Sequence, residues 1–136
     1  MENKRITLTE SDYNKLKKLM EVLKASRRLN SPHLYHLQSE LYNAVIMEKD
    51  MIPGNRVTLY SDVIYTDLRD NTVHRAAVVL PAENDDAKNR YSILAPLGTA
   101  LIGEEEGSVT TCYAPCGEIP LKVEKVIHQV GEQAPV

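Results

Sequence analysis

The sequence predicts an α+β fold: a short N-terminal antiparallel helical hairpin followed by a small antiparallel sheet domain with one short helix. Three observations carry this. Apolar residues recur three and four apart through the first 47 residues. After Pro53-Gly54 the spacing changes to alternation. Between two of the later strands, an apolar stretch opened by Pro96 and closed by Gly103 has the length of a single short helix.

The elements follow in order. Thr9 with Asp12 resembles a capping box, Asp standing in for Glu or Gln. Tyr13, Leu16, Met20 and Leu23 then form an apolar stripe that Leu19 and Val22 widen, and it ends near Ala25 to Arg28 with two arginines suited to a helix C-terminus. Ser31-Pro32 starts a second helix, and Leu34, Leu37, Leu41 and Ala44-Val45 carry it to about Met47. Each helix should have about 16–19 residues and measure roughly 25–28 Å. The few residues between them make a hairpin, a short coiled coil. Residues 50–55 break the period. Strands are expected at Val57–Leu59, Val63–Tyr65, Val73–Leu80, Tyr91–Ala95, Val109–Tyr113 and Leu121–Val126, with a turn at Asp70-Asn71 and a polar loop over 81–89. Leu97, Ala100 and Leu101 should face the sheet from the short helix. The division is 1–50 for the hairpin, 51–130 for the sheet domain and 131–136 for a frayed tail.

Composition narrows the classes. A chain of 136 residues with 43% hydrophobic and 26% charged residues can bury a core without staples. Apolar runs such as Ala76 to Pro81 are too short to cross a bilayer, and Met1 to Glu10 is too polar for a leader, so a cytoplasmic protein away from membranes is expected. Two cysteines make no disulfide framework. Seven tyrosines stand without Phe or Trp, which weakens aromatic cages and base-stacking platforms. Residues 1–30 carry eight basic and four acidic groups, a balance of +4, whereas the rest carries eight basic and fifteen acidic groups, a balance of −7.

Other signals read as structural. Cys112-x-x-x-Cys116 is neither a zinc knuckle nor a redox pair, and Cys112 suits a small core position. His33 and His36 are three apart but have no third ligand in sight, so no metal and no cofactor is expected. His74 and His128 read as strand-surface positions, and Glu104 to Glu106 as a solvated turn. Arg27 and Arg28 fit a solvated helix end, or a contact with a negatively charged channel or nucleic acid.

One block is more specific. Ser92-Ile93-Leu94-Ala95-Pro96-Leu97-Gly98-Thr99-Ala100-Leu101-Ile102-Gly103, then Gly107-Ser108-Val109 and Pro115-Cys116-Gly117-Glu118, resembles the C-terminal domain of the bacterial Gre transcript cleavage factors. The resemblance covers about residues 53–128 and implies a fold like that of the FK506-binding proteins. The short hairpin, with the segment Asn55 to Val63, is similar to the subgroup of regulators of nucleoside diphosphate kinase. The resemblance implies a non-enzymatic transcription regulator that binds bacterial RNA polymerase at the rim of its secondary channel. It implies no sequence-specific nucleic-acid contact, and a monomer is expected. The family's rim contact maps onto Leu94, Ala95 and Pro96. Pro96 carries over, while Leu94 and Ala95 replace the family's acidic residue and serine.

At the hairpin tip the same resemblance has a consequence. Gre factors hold carboxylates there to help bind Mg²⁺, which needs oxygen ligands. Ser26 to His33, with Arg27, Arg28 and His33 as the tip candidates, contains no carboxylate, and the hairpin is shorter than the family's. Cleavage stimulation is therefore not expected, and no catalytic residue is assigned. Proline isomerisation needs an aromatic-lined apolar pocket that this composition does not favour. The alternatives are an isomerase- or chaperone-like protein on this fold, or a generic protein-interaction module.

Overall fold

The computed structural model describes residues 5–128. The chain runs β1 (Thr7–Thr9), α1 (Glu10–Ala25), α2 (Pro32–Asn43), β2 (Val45–Met47), β3 (Asp62–Asp67), β4 (Thr72–Val79), β5 (Arg90–Ser92), α3 (Pro96–Leu101), β6 (Val109–Ala114) and β7 (Gly117–Ile127). The expected tail from Gly131 lies outside the described residues. Among the described residues no helix is long and apolar enough to cross a membrane.

The hairpin forms where the spacing placed it, with two differences. Thr9 caps α1 by accepting the Asp12 N–H at 3.0 Å, and Leu16 and Met20 are buried on one face. The second helix does not reach Met47. It stops at Asn43 after 12 residues, and Val45–Met47 instead pairs in parallel with Thr7–Thr9, Thr7 opposite Val45. The β-branched Val45-Ile46 pair suits a strand, and the Val45 N–H finds the Ile6 carbonyl at 2.9 Å. The two ends of the helical hairpin are thereby tied together at its base.

The main sheet has the order β5-β4-β3-β7-β6. Three pairings are antiparallel, and β5 lies parallel to β4 at the edge. The expected strand at Val57–Leu59 is absent. That segment turns, because Tyr60 takes a left-handed φ of 73° and the Ser61 N–H closes back on the Thr58 carbonyl. The Tyr91–Ala95 strand ends at Ser92 for a related reason, a turn at Ile93-Leu94 that leads into α3. The short helix sits where expected, with Pro96 at its first turn and Gly103 at φ 74° just past its end.

The apolar core is continuous across the Pro53-Gly54 break. Leu16, Met20, Leu37 and Leu41 of the hairpin join Val57, Val63, Leu101, Ile102 and Val123 of the sheet domain in one cluster. α2 lies on α3 and on β6, where His36 and Tyr113 bring their rings to 5.0 Å. The hairpin is laid along the sheet domain instead of standing away from it.

Candidate functional site

The segment Ser92 to Thr99 is built by short-range hydrogen bonds around one close backbone approach. Ser92 sits at the hub: its hydroxyl accepts the Leu94 N–H at 3.0 Å, and its carbonyl accepts the Ala95 N–H at 2.9 Å. The Ile93 N–H reaches the Val79 carbonyl at 2.7 Å, and Ala95 starts α3 by accepting the Thr99 N–H at 3.0 Å. The Thr99 hydroxyl donates to the Pro96 carbonyl at 2.9 Å. Gly98 makes the packing possible. A Cβ there would stand 2.9 Å from the Ser92 carbonyl carbon, nearer still to its oxygen, and 3.0 Å from Ile93 Cα. Gly103 does the same for the N-terminal strand: a Cβ there would meet Ile6 Cβ at 2.6 Å. Its carbonyl receives the Thr7 N–H at 3.1 Å and Arg56 Nη1 at 3.2 Å.

Leu94, Ala95 and Pro96 are partly exposed at the start of α3. The Leu94 carbonyl turns toward the hairpin, where His33 Nε2 donates to it at 2.9 Å across 61 residues. A carbonyl can only accept, so Nε2 carries the proton. Two of the sequence's separate candidates, the tip residue His33 and the loop at Leu94, are thus brought together. Arg27 and Arg28 are not brought into the site. Both are exposed at the end of α1, where Arg27 takes φ 60° and the Arg28 N–H closes on the Leu23 carbonyl at 2.7 Å.

Several polar residues differ from expectation. Glu104 to Glu106 is a turn with Glu105 and Glu106 exposed as expected, but Glu104 is buried and all three carboxylates accept hydrogen bonds. Glu104 is only 1% exposed and takes the Ser108 hydroxyl at 3.2 Å. Glu105 takes Asn55 Nδ2 at 3.2 Å, and Glu106 takes the Val126 N–H at 2.9 Å. Of the three donors, the Val126 N–H is a backbone group of β7, which the Glu106 carboxylate satisfies. His128 likewise is no plain surface residue. Its Nε2 donates to the Gly54 carbonyl at 2.8 Å, and its Nδ1 faces the Ser61 hydroxyl at 3.1 Å, which ties the end of β7 to the 54–61 turn. His74 does lie exposed on β4, stacked on Tyr65 at 5.4 Å. His36 pairs with Glu40 at 3.3 Å. Cys112 is buried as expected, and burial pushes its thiol up.

Asp12 was readable only as a cap. Its backbone N–H does bind Thr9, but its carboxylate reaches 47 residues along the chain to the Leu59 N–H at 3.0 Å. The group is 7% exposed. Burial raises its pKa, partly opposed by the Leu59 N–H and by Lys15. The Thr9-x-x-Asp spacing signalled Asp12, but nothing in it named the distant partner.

Two clefts flank the hairpin. One of about 430 Å³ lies between the start of α1 and the 52–61 segment, with Asp12, Lys15, Lys49 and Tyr60 in its walls. Another of about 660 Å³ lies between α2 and β6, lined by Arg5, His36, Glu40, Thr111 and Tyr113 among others. Each has a single tyrosine in its walls.

Comparison with known proteins places this geometry. Residues 52–128 match the family described as transcription elongation factor, GreA/GreB, C-terminal. Transcription elongation factor GreA of Oceanobacillus iheyensis is 31% identical over 90 residues, 66% of this chain and 57% of that protein. GreA of Nitratidesulfovibrio vulgaris is 29% identical over 94 residues, 69% of this chain and 59% of that protein. The chain therefore spans less than three-fifths of these curated relatives. Among solved structures, the GreA/GreB elongation factor of Nitrosomonas europaea superposes with a TM-score of 0.73 at 26% identity, covering 93% of this chain and 100% of that one. Gfh1 of Thermus aquaticus shares the fold at a TM-score of 0.50 and 22% identity, covering 91% and 99%. The match takes in the Ser92–Gly103 block, with Gly98 and Gly103 at its two close approaches, and all five strands of the main sheet. The chain belongs to the GreA/GreB transcription elongation factor family through its C-terminal domain.

Proposed function

We propose that this chain is a cytoplasmic, monomeric regulator of bacterial RNA polymerase, of the type named for regulation of nucleoside diphosphate kinase. It docks near the secondary channel through Leu94, Ala95 and Pro96 and competes there with Gre factors without stimulating transcript cleavage. The observation that carries the reading is the Ser92–Gly103 block. It falls inside the family match and presents its first three contact residues partly exposed on a rigidly bonded turn. The tip supports the second half of the reading. It offers Arg27, Arg28 and His33 and no carboxylate to a metal ion, and its helices are 16 and 12 residues long. Against an isomerase, neither cleft gathers aromatic side chains over an apolar floor.

The test is displacement of a labelled Gre factor from core polymerase, run beside a cleavage assay on backtracked complexes. Wild type should displace the factor and leave the cleavage rate at its basal level. Pro96→Asp puts a charge into an apolar contact and should weaken displacement by roughly 30-fold or more, with circular dichroism checking that α3 survives. Replacing both Arg27 and Arg28 by Ala should cost less and vary with salt. Failure of the wild type to compete, or concentration-dependent acceleration of cleavage, overturns the reading.

A further inference from the structure

α2 begins with weak local support. Ser31 makes no side-chain cap bond, and its first turn carries no acidic residue. What holds this end is tertiary: Leu34 packs into the interior, and the His33 ring, one residue past Pro32, donates to the Leu94 carbonyl at 2.9 Å. On the other side of that bond, the backbone N–H groups of Leu94 and Ala95 are held by Ser92, and the Ala95 and Pro96 carbonyls by Thr99. The Leu94 carbonyl is held from the hairpin. β4 holds the start of this turn through the Ile93 N–H on the Val79 carbonyl, and across Leu94, Ala95 and Pro96 the bond that comes from outside the segment is the one the hairpin tip supplies to the Leu94 carbonyl.

We infer that His33 is a positioning residue that couples the hairpin tip to the docking turn, so that the laid-down hairpin is the form that binds polymerase. The inference rests on the docking reading above for its polymerase half, and on the His33–Leu94 geometry alone for its coupling half. The bond needs the ring's Nε2–H as donor to the carbonyl. Loss of the ring is what breaks it.

The experiment compares wild type, His33→Ala and His33→Gln, the last because a Gln amide restores a donor near the same place. Amide exchange is followed on the free protein and Gre-factor displacement on core polymerase. In H33A the amides of Leu34, Tyr35, Leu94 and Ala95 should exchange faster than in wild type while those of β3 and β7 do not change. Displacement should weaken about five- to tenfold, the size of one net hydrogen bond. H33Q should recover most of both. Unchanged exchange at both segments in H33A overturns the coupling, whatever polymerase does. Faster exchange with undiminished displacement overturns the claim that the laid-down hairpin is the binding form. If wild type does not displace the Gre factor, the docking reading and the polymerase half of this inference fall together, and the exchange result still decides the coupling.

Discussion

Gly98→Ala is the sharpest test of how the turn from Ser92 to Thr99 is built. The new methyl would stand 2.9 Å from the Ser92 carbonyl carbon and 3.0 Å from Ile93 Cα, and both obstacles are backbone. Carbon atoms pack best at roughly 3.5–4.0 Å, and the Ser92 carbonyl oxygen lies nearer than either carbon, so α3 must retreat by about 1 Å or more. Thr99, Ala100 and Leu101 are buried behind it, and they move with it. Overpacking of this kind costs about 1–3 kcal/mol, and a backbone obstacle puts it at the top of that range. The better helix propensity of alanine returns about 1 kcal/mol. The net loss is about 2 kcal/mol, or a fall in Tm of roughly 6–10 °C for a chain of this size. Urea unfolding followed by far-ultraviolet circular dichroism measures it. Gly54→Ala is the control, because nothing lies within 4 Å of a Cβ there, and it should change stability by less than about 1 kcal/mol. If G98A proves as stable as wild type, Gly98 is an ordinary helical glycine and the close-approach account of this block is wrong.

Leu37→Ala removes a fully buried side chain where hairpin and sheet share a core; it should cost about 2–5 kcal/mol and leave a single unfolding transition. Two separated transitions would show that the hairpin folds apart from the sheet. Asp12 has a raised pKa in the native state, so the native chain binds more protons there than the unfolded one as pH climbs past the ordinary value of 3.8. Its contribution to stability falls with rising pH, and the stability of Asp12→Asn relative to wild type should increase from pH 3 to pH 7; a flat or opposite trend refutes the burial argument. Asp67 goes the other way: the Arg69 guanidinium and backbone N–H hold its carboxyl below the usual range. Arg69→Gln should raise the Asp67 titration midpoint seen by NMR, and an unmoved midpoint would assign the shift to other groups.

The parts of the fold that were legible had strong local signals. Thr9 and Ser31-Pro32 mark helix starts, and the Pro96…Gly103 frame marks a helix too short to read by periodicity. The parts that were missed depend on partners far along the chain. Val45–Met47 continues a helical spacing and becomes a strand only because Thr7–Thr9 lies beside it. Val57–Leu59 alternates like a strand, but Tyr60 adopts a left-handed φ that nothing in a tyrosine announces. The candidate site divides in the same way. Leu94 to Pro96 was singled out from its block, yet Asp12 to Leu59, His33 to Leu94 and Glu106 to Val126 are bonds between a side chain and a distant backbone group. One end of each such bond is a peptide group, identical at every residue, so it leaves no pattern to read.

The length of the hairpin acts as a gauge. Its base is fixed where β1 and β2 pair, and α2 spans about 18 Å from there to its first turn. That is the distance at which His33 meets the Leu94 carbonyl. One further turn in each helix would carry the tip about 5 Å past that meeting point. Longer variants would leave the turn without its donor and the tip unsupported. For a lineage built on this scaffold, reach and closure are therefore alternatives: a chain can extend its hairpin beyond its own body, or end it flush with the Leu94 turn, and a change of a single helical turn moves it from one design to the other.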